Sequence, residues 1–514
     1  MVVPEDCVSR LQRAFKTTVV VQAFSVAGLL LSLVAVPLYL KWLGQERYGV
    51  LLTGLAFSGY LMFSDAGLSW SSMLLIAQAS GRNDQSVIAG IVRNSFSLAA
   101  CSGVIVGILV GSTALLLNSP ARPAWLPQHP EAAGLIVAVG CSVASSLMLS
   151  PFYNLFIGLQ EGHIAGAYQG LGRVIGTLAS LVVAAWALPL GLVFGANVLC
   201  NFLAGIAAAA HCCRRHPWAF HRGARWDWPV IRQQLRTGAK SFGMQIGGVL
   251  IGTAPVLAVS SGAGPQFVPY LSIPLTLLNT PLGIVNSFNA SLQAGYGEAM
   301  GRNEAIWVAE TVRRTLRQLL VMLGLLSCVF FLLASPFIYQ WTGGRIDLSW
   351  VMLGSALAIA SSGALLAVFR FALSGINRHR TAALSELLFG GLSMALAFAV
   401  VRAFGFQWVG VGILGAALIS SGWILPRELR LALSASHLWP SIPFWLRWGG
   451  SAIVVAATGA AVWSLMAGFP VLLAMIATAV TIVALYAAAI HWLLPDESKL
   501  VFRMVRRLMP RSAS

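Results

Sequence analysis

Residues 78–93 read QASGRNDQSVIAGIVR, and residues 298–313 read EAMGRNEAIWVAETVR. At a constant offset of 220, Ala79, Gly81, Arg82, Asn83, Val92 and Arg93 return as Ala299, Gly301, Arg302, Asn303, Val312 and Arg313, and Asp84 returns as Glu304. Each copy closes one apolar run and opens the next. A weaker pair matches Gly158 in FIGLQEGHIAG (156–166) with Gly375 in LSGINRHRTAA (373–383). Pro37 and Pro255 also correspond, at offset 218. Because the copies fall at equivalent places along the chain, the sequence reads as a duplication. Glycine ends a helix readily, and a short polar residue starts the next one. The GRN segments are therefore read as tight turns between helices. The other reading is a gate, in which Arg82 and Arg302 pair across the two halves.

Composition sets the environment of these halves. Of 514 residues, 58% are hydrophobic and only 10% are charged, where soluble domains carry about 25%. A water-soluble enzyme is excluded, and so is a disordered chain. The 51 glycines and 22 prolines show no short period, so a fibrous repeat is excluded too. Apolar runs lie near 17–40, 48–69, 94–117, 134–157, 167–187, 190–212, 239–260, 267–295, 316–339, 350–374, 384–403, 408–426, 448–467 and 471–494. Each is close to the ~20 residues that an α-helix needs to cross a bilayer. The expected fold is an all-α polytopic membrane protein of about fourteen transmembrane helices. Two six-helix lobes, 1–212 and 213–440, precede two further helices and a tail at 441–514. Six is an even number, so the lobes run parallel, related by an axis along the membrane normal. The first run is too long for a secretory h-region, and a retained first helix is expected.

Charge orients the ladder. Segments on the N-terminal side hold 28 Lys and Arg, and the opposite side holds 5: Lys41, Arg47, Arg122, Arg345 and Arg402. The positive-inside bias places both termini in the cytoplasm. It also accounts for the net charge of +17 without a nucleic-acid partner and favours anionic membrane lipids. In the tail, Leu500, Val501, Met504, Val505 and Leu508 share a helical face, with Lys499, Arg503, Arg506 and Arg507 around the other. That pattern suits an interfacial amphipathic helix or a helix docked on a partner. The seven cysteines sit mostly inside apolar runs and form no disulfide framework. Residues His211 to His216, HCCRRH, are read as a cytosolic helix end. Neither metal nor cofactor is expected.

Intramembrane charges are expensive, so each is a candidate for function. Asp65 is placed toward the cytosolic end of the second helix and Arg173 in the fifth. Lys240 opens the seventh, and Arg370 lies near the cytosolic end of the tenth. Snorkelling to the headgroups is the alternative for the cations. The eighth run carries Ser272, Asn279, Asn286 and Gln293 every seven residues, with Asn289 beside them. Seven residues return to nearly the same helical face. Such amides serve either to bind sugar hydroxyls or to glue helices together. Pro274 and Pro281 should bend this helix. Ser142, Ser146, Tyr153 and Asn154 form a second polar surface in the fourth run. Lys41 and Arg47 are read as residues of the external rim.

PLYLKWLGQERYGVL (37–51), FSDAGL (63–68) and the two GRN segments, set in this fourteen-helix frame, resemble the oligosaccharide flippases. These are the Wzx-type polysaccharide transporters of the MOP superfamily, relatives of the MATE exporters. The resemblance covers nearly the whole chain. It implies two lobes around a central cavity, with helices 13 and 14 lining a groove for a lipid tail. It implies translocation of undecaprenyl-pyrophosphate-linked oligosaccharide units across the bacterial inner membrane. Polysaccharide polymerase and chain-length machinery would be partners. A lipid II flippase would carry a more arginine-rich first helix pair. Two other readings stand beside this one. A MATE-like ion-coupled exporter normally needs twelve helices. A membrane-embedded polymerase, ligase or glycosyltransferase commonly works from a long external loop. The longest one here, 118–133, holds four prolines and the lone acid Glu131, with no acid–base pair or metal-ligand spacing. A transporter rather than an enzyme is expected.

Overall fold

The computed structural model describes residues 5–65, 67–81, 84–118, 131–220, 228–301, 303–376, 378–435 and 437–493. All regular structure among them is helical. Arg82, Arg302 and the amphipathic tail lie outside the described residues, as does the side chain of Lys240.

The chain forms two compact units, Met1–Ser272 with Ala382–Gly412, and Ile273–Thr381 with Ile413–Ser514. The first unit opens with α1 (Glu5–Trp42), α2 (Gly44–Leu61) and α3 (Leu68–Gly81). Then come α4 (Gln85–Asn118), α5 (Ala132–Gly158), α6 (Gly162–Ala185), α7 (Leu190–Arg215) and α8 (Trp228–Gly262). The chain leaves this unit along α9 (Val268–Gly301), after Ser272. In the second unit stand α10 (Ala305–Trp341) and α11 (Trp350–Gly375), and the chain returns to the first for α12 (His379–Phe404). It re-enters the second along α13 (Val409–Ile419), then forms α14 (Ser421–Ala432), α15 (Ile442–Leu465) and α16 (Val471–Leu493).

Twelve segments of the described residues are long and apolar enough to cross a membrane. The other two expected passes are helical as well: α9, of 34 residues, and the broken pass α2–α3. Together these helices match the about fourteen apolar runs of the sequence in order. The apolar surface faces outward as a bilayer requires. On α4, Val104, Ile108 and Leu115 are exposed, and on α15 Ile453 and Val454 are. Inside, Leu75, Ile76, Ile91, Leu155 and Phe156 tie α3, α4 and α5 into one cluster of the first unit. In the second unit Leu320, Cys328, Val455, Ile482 and Tyr486 join α10 to the C-terminal pair α15–α16.

The repeated segments fold into matching turns. The Asp84 N–H donates to the Ala79 carbonyl at 3.1 Å, and the Glu304 N–H to the Ala299 carbonyl at 2.9 Å. Likewise Glu161 donates to Phe156 at 2.7 Å and Arg378 to Leu373 at 2.9 Å. Each pair of turns has the same span of chain and the same closing bond. The caps differ, however. The Asp84 carboxylate accepts from the Val87 N–H at 3.1 Å and caps α4 as expected. Glu304 stands at the N-cap of α10 with no side-chain bond to the helix, in keeping with the preference of N-caps for the shorter Asp, Asn, Ser and Thr. Asn303 takes φ 61° in its turn, a left-handed conformation that asparagine tolerates.

Candidate functional site

Arg173 stands midway along α6 and lines a cavity of about 270 Å³ within the first unit. The glycines of α6 make room for it. Gly162, Gly166 and Gly170 face Thr17, Val21 and Phe24 of α1, and Gly176 lies against Asn197 of α7. Small residues at this spacing let helices approach closely. Tyr39 and Tyr48 stack on one wall with centroids 5.8 Å apart, and the Tyr39 hydroxyl donates to Ser180 at 2.9 Å. Ser32, Thr177 and Asn197 complete the polar lining. Arg173 is exposed, and among the described residues no carboxylate pairs with it. The cavity thus offers one uncompensated guanidinium among hydroxyls, an amide and aromatic rings. Such a set can hold an anion beside a polyhydroxylated group.

Asp65 lies in a 3-10 turn at the break between α2 and α3, and α3 continues to Gly81. The break follows from Gly67, which takes φ +74°; a Cβ there would meet the Gly238 carbonyl of α8 at 2.6 Å. The Asp65 carboxylate is buried and accepts from the Ser69 hydroxyl at 2.8 Å and, more loosely, from the Ser69 N–H. It borders a small polar pocket with Ser72, Ser95, Ser102, Ser150 and Asn154. Asn154, expected in the second polar surface, thus shares a pocket with Asp65, whereas Ser146 back-bonds to the Ser142 carbonyl at 2.8 Å.

In the second unit, Arg370 stands near the end of α11 with its guanidinium 5.1 Å from the Phe371 ring centroid. The α9 stripe is a single helical face that grades from exposed to buried. Asn279 is exposed, Asn286 and Gln293 are half-buried, and Asn289 is 2% exposed. The Asn289 Nδ2 and Asn286 Oδ1 atoms are buried and without a partner among the described residues. Buried polar atoms are nearly always satisfied, which marks this face as a place for a ligand or water. Helix α9 runs unbroken through Pro274 and Pro281. Arg173 and Asp65 belong to the first unit, and Arg370 and the four α9 amides to the second.

Two charged residues, Arg47 and Glu161, tie turns to neighbouring helices. Arg47, read as a residue of the external rim, forms an ion pair with Glu131 at 2.9 Å and donates through Nη2 to the Leu188 carbonyl at 2.7 Å. Glu131 also accepts from the Leu190 N–H at the start of α7. In the α5–α6 turn, Glu161 accepts from Arg215 at 2.8 Å and contacts His216 at 3.0 Å. Burial works against the charged carboxylate, yet these two partners hold Glu161 below its ordinary value. Cys212, in the run considered for metal, is buried against the Phe152 carbonyl.

Sequence reasoning missed Gln234. It is fully buried on α8 and donates from Nε2 to Ser72 at 3.1 Å and Ser95 at 3.0 Å. Beside this network Asn94 is also fully buried. The apolar run begins only at residue 239, whereas α8 begins at Trp228. The helical spacing of Ile231, Gln234 and Gly238, all buried, was the available signal.

A family model described as "Polysaccharide biosynthesis protein" matches residues 15–293, more than half of the chain. The chain belongs to this family. Polysaccharide biosynthesis proteins of this type share their fold with solved transporters. The structure titled "Lipid II flippase MurJ, inward closed conformation" superposes with a TM-score of 0.67 at 12% identity, covering 93% of this chain and 99% of that one. An inward-facing multidrug resistance MATE family transporter of the MOP superfamily gives 0.58 at 15% identity, over 81% and 99%. The Vibrio cholerae MATE transporter VcmN in its bent form gives 0.55 at 15% identity, over 84% and 99%. At these identities the likeness is one of fold. No curated protein matches the chain.

Proposed function

We propose that this member of the polysaccharide biosynthesis family is a flippase for polyprenyl-pyrophosphate-linked oligosaccharide units. It would carry them from the inner to the outer leaflet of a bacterial inner membrane, with both termini in the cytoplasm. The observation that carries the reading is the Arg173 cavity: an uncompensated cation ringed by hydroxyls and an amide, on a flippase fold in a polysaccharide family. A pyrophosphate needs the cation, and a glycan needs the hydroxyl and amide partners. In this reading the duplicated halves, 1–212 and 213–440, rock to give alternating access. Arg370 and the amides Asn279, Asn286, Asn289 and Gln293 supply the second unit's share of the path, and Lys240 adds charge. The pair α15–α16, packed on α10, gives the polyprenyl tail a groove. A family devoted to polysaccharide synthesis favours a glycan cargo over the small molecules of a multidrug exporter. The test is deletion of the gene followed by leaflet-resolved assay of lipid-linked oligosaccharide. Complete units should accumulate on the cytosolic leaflet. Failure to make the units, or normal export, overturns the proposal.

A further inference from the structure

A second cavity, of about 770 Å³, lies wholly within the second unit, far along the chain from Arg173. Two helices turn arginines into it. Arg313 and Arg317, one turn apart on α10, form one wall, and Arg427 and Arg430 on α14 form the other. Positions 423, 427 and 430 share one face of α14, so Trp423 joins its arginines. The first residues of α15 close the third side: Ser441, whose hydroxyl makes no capping bond, and Ile442.

Charge in this cavity is unbalanced. Among the described residues that line it there is no carboxylate. The nearby acid Glu310 pairs with Arg314, at 3.4 Å, not with a lining arginine. Arg313 spends one Nη2 donor on the His437 carbonyl at 2.6 Å, and Arg317 lies 5.8 Å from the centroid of the Phe444 ring. The Nε atoms of both are buried without a partner among the described residues. Snorkelling arginines end in water with their donors solvated. These two keep their Nε donors buried beside a cavity whose lining carries no negative charge. An anion with several oxygens balances the four guanidiniums, and a phosphate matches the planar fork of arginine.

The rim says what carries the phosphate. Trp423 is 67% exposed, and Ile442 and Leu446 of the first turns of α15 are exposed as well. Apolar side chains and an exposed tryptophan next to clustered arginines are the arrangement of a membrane interface. We propose that this cavity holds the phosphate headgroup of an anionic membrane phospholipid, as a site separate from the cargo path around Arg173. The chain count of basic residues puts it on the cytoplasmic leaflet, where such lipids concentrate.

The test is native mass spectrometry of the full-length protein in detergent, titrated with phosphatidylglycerol or phosphatidylcholine. Phosphatidylglycerol should bind more tightly, and the preference should shrink with added salt. Arg427→Gln and Arg430→Gln change exposed side chains and leave the packing alone. Each should weaken phosphatidylglycerol about fivefold, the factor that ~1 kcal/mol per arginine represents. Arg313→Lys with Arg317→Lys, which keeps charge but removes the fork, should also weaken it. Polyprenyl pyrophosphate separates the two sources of lipid phosphate. If it leaves bound phosphatidylglycerol in place, the phospholipid assignment stands. Displacement from the wild type but not from the Gln variants reassigns the site to the cargo carrier and overturns that assignment. Equal binding of both phospholipids, or undiminished binding in all the variants, overturns the site itself. None of these readouts requires transport, so failure here is distinct from failure of the flippase reading.

Discussion

The contact between Arg47 and Glu131 gives a prediction whose size follows from the geometry. Glu131 does two things at once: it accepts from the Arg47 Nη2 at 3.0 Å and from the backbone N–H of Leu190 at the start of α7. Arg47 in turn also holds the Leu188 carbonyl at 2.7 Å. Both side chains are about one-quarter exposed, at 23% and 24%. A charge-assisted bond contributes about 1.5–3 kcal/mol when shielded, and partial solvation brings this pair to about 1 kcal/mol. A helix-start cap adds about 1 kcal/mol. Arg47→Ala should therefore cost about 2 kcal/mol, because the pair and the bond to the Leu188 carbonyl, worth about 1 kcal/mol, are lost while Glu131 keeps its bond to Leu190. Glu131→Ala should also cost about 2 kcal/mol, since the pair and the cap are lost together. The double variant should cost about 3 kcal/mol, leaving a coupling of about 1 kcal/mol between the two sites. Equilibrium unfolding of the purified protein in mixed micelles measures all three. Strict additivity of the two single costs would refute the reasoning.

Four further outcomes follow. Arg173→Lys should impair export and Arg173→Glu abolish it at unchanged protein level, measured by surface polysaccharide against a membrane immunoblot; full export by Arg173→Glu would make the residue a snorkelling anchor. Asn289→Leu should leave stability within about 1 kcal/mol, since no bond is lost from its buried Nδ2, while export falls; a stable variant with normal export would leave the α9 stripe to helix packing. Glu161 is held below its ordinary value of about 4.5, so its contribution is full above that pH and is lost as pH falls through the lower folded-state value; Glu161→Gln should remove this acid-side loss in pH-dependent unfolding and cost about 1 kcal/mol at neutral pH. Gly324→Val should loosen α15–α16 from α10, because a Cβ there would come within 2.8 Å of the Trp448 Nε1 that donates to the Leu320 carbonyl; overpacking of this kind costs about 1–3 kcal/mol, and an unchanged melting temperature would contradict the contact.

Much of the fold could be read from the chain because membrane helices write their length and environment into composition. The turns at 79–84 and 299–304 were legible for a different reason: a duplicated backbone turn keeps its Gly and Asn at fixed offsets. The broken second pass was harder. Gly67 in FSDAGL looks like one more small residue, and only the close approach of Gly238 forces its positive φ. Without that contact, Asp65 reads as a helix-end charge rather than the buried partner of Ser69. The pairing of Arg47 was not legible because its partner, Glu131, lies 84 residues away in the sequence. Gln234 was lost because polar residues at the foot of a helix look interfacial until another helix covers them. The arginine cavity escaped for the same reason: Arg313, Arg317, Arg427 and Arg430 counted as topological charge, and only the packing of α10, α14 and α15 turns them toward one space.

The central claim is translocation of a lipid-linked glycan, and reconstitution measures it directly. The purified protein is placed in liposomes with a fluorescent polyprenyl-pyrophosphate oligosaccharide, and a membrane-impermeant glycosidase attacks only the outer leaflet. If the chain is the proposed flippase, wild-type protein exposes the inner pool to cleavage and Arg173→Glu does not. If the inner pool stays protected with wild-type protein under an imposed potential, proton gradient and sodium gradient alike, the account is contradicted.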